Sequence, residues 1–414
     1  MLTVDIHSQL KDLDEFLDCH KYLWQPKMLA GYPDPLRNIP ESWVTFYRNS
    51  SIDQLCDLSV FKSTGKDLLC DMPDSLRQLV ENLFQLCDLP RANISSDLIE
   101  EDDIYKKQIL KLSVKKAHEF SLLGPYIKEH LDRLKIKNFI DVGGGKGFLS
   151  LAVSSCTCRQ ILIDQNRNLL NKGKGYFKRW KRSKDLECHE IFIDSDLFLD
   201  NFMLTEKSLI AGLHLCGDLS VYQISAASKN KDVNLINFGC CYHRISASNL
   251  NLSGMCRHIL RPTDLRLALS PFAYKSMDTF SNNQIKNHYR YALYCLYQYF
   301  FNEVPAKSFL NKFDYPVIAK VADFSEFIDI NLNNFNCFNP MNRVMKVYED
   351  KISELASEME IFEFFRRLFS RAIELYIILD RAKYIENKGL STEVLQFFDG
   401  RVSPRNIGIV ALNL

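Results

Sequence analysis

Asn138-Phe139-Ile140-Asp141-Val142-Gly143-Gly144-Gly145-Lys146-Gly147-Phe148-Leu149 reads as a buried strand, a glycine turn and the start of a helix. The apolar pair Phe139-Ile140 ends in a carboxylate, Asp141, and Gly143, Gly145 and Gly147 alternate along the turn. Glycine adopts backbone angles closed to other residues and lets a ligand approach the main chain. Phe148-Leu149-Ser150-Leu151-Ala152-Val153 then suits a helix whose N-terminus faces the turn.

Two nucleoside ligands compete for such a turn. A dinucleotide site uses G-x-G-x-x-G, with the pyrophosphate on the helix N-terminus. Here the spacing is G-x-G-x-G behind an acid, which repels a pyrophosphate and attracts the ammonium of S-adenosylmethionine. A second apolar strand, Ile161-Leu162-Ile163, ends in Asp164, 21 residues after Gly143. An acid at that point accepts hydrogen bonds from ribose hydroxyls. The expected cofactor is S-adenosylmethionine, held by Asp141, Gly143, Gly145, Gly147 and Asp164. A structural turn without a ligand is the plainer alternative.

From about 135 to 245 strands and helices alternate, the pattern of a mostly parallel sheet covered on both faces. Strands are expected at 137–141, 159–164, 189–193, 208–213 and 233–238. Ligands of such sheets collect at the carboxyl ends of the strands, so the residues after each strand carry the chemistry. After the third stands Asp194-Ser195-Asp196, where Asp194 is placed to meet an adenine amino group or simply to close a turn. After the fourth comes Gly212-Leu213-His214-Leu215-Cys216-Gly217-Asp218, and after the fifth Gly239-Cys240-Cys241-Tyr242-His243-Arg244. The former is not the Asn/Asp-Pro-Pro-Tyr loop that holds an exocyclic amine.

Three readings share this gathering of His, Cys, Asp and Tyr. It forms an acceptor pocket, with His214 as the base for a protonated nucleophile, Asp218 orienting its ring, and Tyr242 and His243 beside it. Or His214, Cys216, Cys240, Cys241 and His243 hold zinc. The spacing matches no standard C-x-x-C pair, so no metal is assigned. Or the residues are packed and hydrogen-bonded, shaping the floor of the cofactor site.

The flanks read differently. Residues 1–134 are expected to be mostly helical, with Leu10, Leu13, Phe16 and Leu17 at helical spacing and a helical stretch over 104–134. The segment 135–245 is the cofactor-binding core, 246–385 a helical region, and 386–414 a tail whose last strand returns to the sheet. Aromatics in 282–301 and 352–385 are expected to be core. In the helix before the first strand, Lys111, Lys115, Lys116 and His118 make either a solvated face or one that touches ligand. Seven cations lie between Lys172 and Lys184, interleaved with Tyr176, Phe177 and Trp180. They suit either an exposed helix or an RNA backbone.

Composition narrows the setting. The 414 residues carry a formal net charge of +1, so no global field draws nucleic acid or membrane. No run of eighteen apolar residues suggests a membrane span, and the N-terminus shows no signal peptide pattern. Thirteen cysteines without a regular framework suit a reducing compartment, cytosol or nucleus.

The set DVGGGKG, GLHLCGDL, GCCYHRI and SPRNIGIVAL, with Lys115-Lys116-Ala117-His118-Glu119 and Pro40-Glu41-Ser42-Trp43, resembles the methyltransferase-like protein 25 family. That family includes the ribosomal RNA adenine dimethylase domain-containing proteins. The resemblance spans nearly the whole chain. It implies an α/β, Rossmann-like class I methyltransferase sheet with helical N-terminal and C-terminal additions, using S-adenosylmethionine. The HLCG and Cys-Cys-Tyr-His elements are also similar to those of a family of tRNA ribose methyltransferases. That likeness implies an RNA hydroxyl as acceptor, near His214 or His243. RNA is the first expected partner, with a protein acceptor second and a protein docked on the helical regions, without catalysis, as the alternative.

Overall fold

The computed structural model describes residues 5–26, 34–59, 72–94, 112–179, 186–198, 207–270, 277–313, 321–331, 334 and 341–413. The stretch Asn138–Val142 is indeed a strand, β1, buried at every position. It is followed by β2 (Arg159–Asp164), β3 (Leu186–Glu190), β4 (Ser208–Cys216), β5 (Val233–Cys240), β6 (Thr392–Gln396) and β7 (Ile407–Ala411). They form one seven-stranded sheet in the order β3-β2-β1-β4-β5-β7-β6. Strands β1 to β5 run parallel, and β7 is antiparallel to both its neighbours. This is the Rossmann-like class I sheet, with helices around it.

The order explains where a ligand can sit. The chain leaves β1 towards β2 and β3, then crosses back to lay β4 and β5 on its other side. The crevice beyond the carboxyl ends of β1 and β4 is therefore the topological switch point. Because helices cover both faces, the central strands are apolar throughout rather than alternating. Phe139, Leu209, Ile236, Phe238 and Val410 pack on one face against Leu123, Ile127 and Leu131 of the helix Val114–Arg133.

The third strand begins three residues before its expected start and ends at Glu190, so Asp194 stands beyond it. The tail supplies two strands, β6 as well as the expected last one, β7. The helix expected over 104–134 is described only as Val114–Arg133. Lys111, Trp180, Lys181, Arg182 and Lys184 lie outside the described residues.

The chain divides into two compact units. The first joins Met1–Asp18, Gln85–Ser270 and Arg371–Leu414, and holds the whole sheet. Within it, Asp14 of the helix Ile6–Cys19 accepts hydrogen bonds from Arg257 N and from the hydroxyl of Tyr376. The second joins Cys19–Phe84 and Pro271–Ser370 and is helical. Its core contains Tyr291, Leu293, Leu296, Phe327, Ala356 and Met359, so these aromatics and their neighbours are packing residues. Trp43 packs at a tilt against Phe365, ring centroids 5.4 Å apart, and donates to Ser75 Oγ at 2.9 Å.

Candidate active site

The glycine turn has the shape its sequence asks for. Gly143, Gly145 and Gly147 have φ of 63°, 58° and 69°, all left-handed and open to glycine at no steric cost. Gly145 N donates to Asp164 Oδ2 at 3.0 Å, and Asn166 N to Asp164 Oδ1 at 2.7 Å. The Asp164 carboxylate is thus fixed at the end of β2 while remaining partly exposed. Asp141 is different. It is 1 % exposed, and Ser150 N and Ser150 Oγ donate to its Oδ2 at 3.1 and 2.8 Å. It pins the first turn of the helix Phe148–Ala152 to β1. Burial pushes its carboxyl up to about 7, against the two Ser150 hydrogen bonds, and the charge of Asp164 adds to the rise.

The second half of the site is built on a defect in β4. Gly212 pairs with Asn237, but Leu215 pairs with Gly239, so β4 carries one residue more than β5 over this span. A bulge of this kind re-aims a side chain. Here His214 takes φ of 61°. A β-carbon on Gly212 would lie 2.5 Å from Leu215 Cδ1, so the kink needs glycine there. Leu215 in turn reaches 3.5 Å from where a Gly143 β-carbon would stand, which sets the bulge against the glycine turn.

His214 Nε2 lies 2.8 Å from Glu119 Oε1. Glu119 is 1 % exposed, on the helix Val114–Arg133, and also accepts from Ser403 Oγ at 2.5 Å. Lys115 Nζ is 3.6 Å from the same oxygen. Burial raises the Glu119 carboxyl, but the His214 and Ser403 hydrogen bonds, the Lys115 charge and the charge His214 carries when protonated outweigh it, leaving it below its usual range. An ionised Glu119 accepts, so Nε2 carries the hydrogen and Nδ1 has a lone pair.

Asp218, expected to orient His214, does something else. Its Oδ1 accepts from Ser246 N at 2.9 Å and Asn249 Nδ2 at 2.8 Å, fastening the loop after β5. Tyr242 is 1 % exposed, with its hydroxyl 3.3 Å from both Gly239 O and Glu374 Oε1. Burial first, then the charge of Glu374, drives its phenol pKa up. It is a support under β5 rather than part of the pocket wall. His243 is half-buried on the short turn Tyr242–Arg244. Asp194 is exposed and, with Ser195, Asp196, Tyr222, Asn249 and Tyr384, lines a cavity of about 260 Å³.

Cys216 and Cys240 are paired neighbours on β4 and β5. Their Sγ atoms are 3.2 Å apart, and Cys216 Sγ is 3.4 Å from Cys241 Sγ. His214 points instead to Glu119, so the five-residue set of Cys and His is divided: the three thiols cluster, His214 joins an imidazole–carboxylate pair, and His243 is not grouped with the sulfurs. Sequence reasoning passed over Glu119 and Ser403 as site residues. Both were quoted in the chain's distinctive motifs, but only the fold brings them to His214, 95 positions from Glu119.

Of the seven cations between Lys172 and Lys184, the described ones are Lys172, Lys174, Lys178 and Arg179 on the helix Arg167–Arg179, all exposed, while Phe177 is buried in the core. No helix among the described residues is long and apolar enough to cross a membrane.

Residues 115–248 match a family model described as a methyltransferase domain. The chain is 24 % identical over 292 residues to "Probable methyltransferase-like protein 25" of Mus musculus, covering 64 % of this chain and 47 % of that protein. It is 23 % identical over 251 residues to the Homo sapiens protein of the same name, covering 55 % and 39 %. The match thus spans about half the length of these relatives or less. Among solved structures it matches coclaurine N-methyltransferase bound to N-methylheliamine and SAH, at 12 % identity, covering 87 % of this chain and 95 % of that one, with a TM-score of 0.24.

Proposed function

We propose, for a chain that belongs to the methyltransferase-like protein 25 family and carries its methyltransferase domain over residues 115–248, S-adenosylmethionine-dependent methylation of an RNA hydroxyl. The observation that carries the reading is His214, turned out of β4 by a bulge and fixed through Nε2 by the buried, ionised Glu119.

The glycine turn fits the cofactor. Three left-handed glycines leave open main chain between a buried acid, Asp141, and a partly exposed one, Asp164. Asp141 would face the ammonium and Asp164 the ribose, with Gly143, Gly145 and Gly147 closing around the ligand. Asp194, at the mouth of its cavity, would stand on the adenine side. S-adenosylmethionine supplies an electrophilic methyl group on a sulfonium.

The chain's own part is positioning and proton removal. Methyl transfer is an in-line displacement, and orientation supplies most of the acceleration. A hydroxyl acceptor must also lose its proton, which a bare cofactor pocket cannot take. His214 Nδ1 accepts it, because Nε2–H is committed to Glu119. The imidazolium that forms is stabilised by the Glu119 carboxylate, whose second anchor is Ser403. A positioned base of this kind contributes about 10²–10⁴-fold. The exposed Lys172, Lys174, Lys178 and Arg179 favour a polyanionic acceptor.

The test adds purified protein and methyl-labelled S-adenosylmethionine to an extract of cells lacking it, and separates RNA, protein and small molecules. Label is expected in RNA, and absent with His214→Ala. Label in the protein fraction would replace RNA with a protein acceptor. Cofactor binding with no label in any fraction would favour a non-catalytic docking protein.

A further inference from the structure

The thiol cluster is not used by the reaction above, and its construction is costly. Cys241 sits at φ of 49°, a left-handed conformation that a non-glycine residue adopts at about 1–3 kcal/mol. The effect is to bring its thiol up to Cys216. Cys240 arrives by strand register, opposite Cys216. Gly217, just after Cys216, lets the turn after β4 lie against Arg244: a β-carbon there would be 2.7 Å from Arg244 O. Two strand ends and a strained turn therefore converge on one point.

The spacing is that of a shared ligand. Tetrahedral zinc with Zn–S bonds near 2.3 Å places its sulfurs about 3.8 Å apart. Here the Sγ separations from Cys216 are 3.2 and 3.4 Å, and all three sulfurs lie within 4.8 Å of one another. No fourth His, Cys, Asp or Glu atom joins them among the described residues. Cys216 is exposed and Cys240 is buried.

The geometry points to a zinc site formed by Cys216, Cys240 and Cys241 at the ends of β4 and β5, with its fourth position open towards solvent. Binding converts three thiols and Zn²⁺ into a tris-thiolate complex and releases three protons. It therefore tightens as pH rises. The metal ties together the two strand ends that frame His214.

The full chain is purified under reductant, stripped with chelator and titrated with Co²⁺, then with Zn²⁺. One equivalent of Co²⁺ is expected to give a thiolate-to-cobalt charge-transfer band, which Zn²⁺ then removes. Cys216→Ser, an exposed position that leaves folding intact, loses the band, as does Cys240→Ser. Cys19→Ser, an exposed thiol outside the cluster, keeps it. No band in the wild type, or a band that survives Cys216→Ser, would overturn the site. The readout is spectroscopic, so its failure leaves the methyl-transfer reading untouched.

Discussion

His214 and Glu119 form the pair on which the chemistry turns, and each has a distinct expected signature. His214→Ala should lower methyl transfer by about 10²-fold or more, with cofactor affinity within about twofold, because the ring serves proton removal. Glu119→Gln keeps the volume but removes the charge that stabilises the imidazolium. Its rate should fall by about tenfold or more, with a changed pH profile, which steady-state kinetics against pH would reveal. Cofactor affinity lost in either variant would place the pair in binding instead. Asp141 supplies a pH dependence of its own. Its folded pKa, about 7, lies above the unfolded carboxylate value of about 3.9, so the folded chain holds the extra proton in between. Its contribution to stability is accordingly largest below the unfolded value and is lost as pH rises towards 7. A bound ammonium favours the carboxylate, so cofactor affinity should rise with pH through the same window, with proton release below 7. Calorimetry at pH 6 in buffers of different ionisation enthalpy measures that release, and a pH-independent affinity would remove Asp141 from the cofactor's contacts. Glu119 works with the opposite sign. Its lowered pKa adds stability above the ordinary carboxylate range, lost as pH falls through the folded value.

The strand–turn–helix from Asn138 was legible because its signals are local: apolar residues, an acid, then alternating glycines. Asp164 was legible too, since the distance between strand ends in a βα repeat varies little. The β4 bulge was not. Nothing in Gly212-Leu213-His214-Leu215 announces an extra residue, and the partner β5 had to be in place before His214 could be aimed. For the same reason Asp218, close in sequence, was expected to orient His214, while Glu119, distant in sequence, holds the ring and is itself held by Ser403. The thiol cluster escaped spacing rules because strand register, not a C-x-x-C turn, sets Cys216 against Cys240. The turn itself can be tested by sterics. A β-carbon on Gly144 would lie 2.4 Å from Asp141 Cγ and from Leu162 Cδ1, so Gly144→Ala should lower the melting temperature and abolish cofactor binding. Gly175, on the helix Arg167–Arg179, has open space around it. Gly175→Ala should stabilise by about 0.5–1 kcal/mol through helix propensity. Thermal melts of the two variants, moving in opposite directions, distinguish a built turn from a generic loss of glycine.

Across the molecule, net charge of +1 hides a local field. Replacing Lys172, Lys174, Lys178 and Arg179 by glutamate should weaken RNA binding and flatten its salt dependence, since each lost phosphate contact reduces the slope of log K against log salt by about 0.9 for a duplex and 0.7 for a single strand. Filter binding across a salt series reads this, and an unchanged slope would move the RNA path off this helix. Within the unit joining 19–84 and 271–370, the helices over 282–301 and 352–370 were recognisable, and their aromatics as core, but the short helices Phe324–Ile330 and Met341–Val347 were not. The partnership of the two segments in one unit, across a long sequence gap, was not recognisable either, because tertiary packing leaves no period in the sequence. The most direct measurement is calorimetric titration of S-adenosylmethionine into the wild-type chain and into Asp164→Ala. One equivalent should bind the wild type, and the variant, stripped of its ribose acceptor, should bind at least about tenfold more weakly while still melting cooperatively, at a temperature lowered by the loss of the Gly145 and Asn166 hydrogen bonds. No binding to the wild type, or equal binding to both, would contradict the assignment of the glycine turn and Asp164 as the cofactor site.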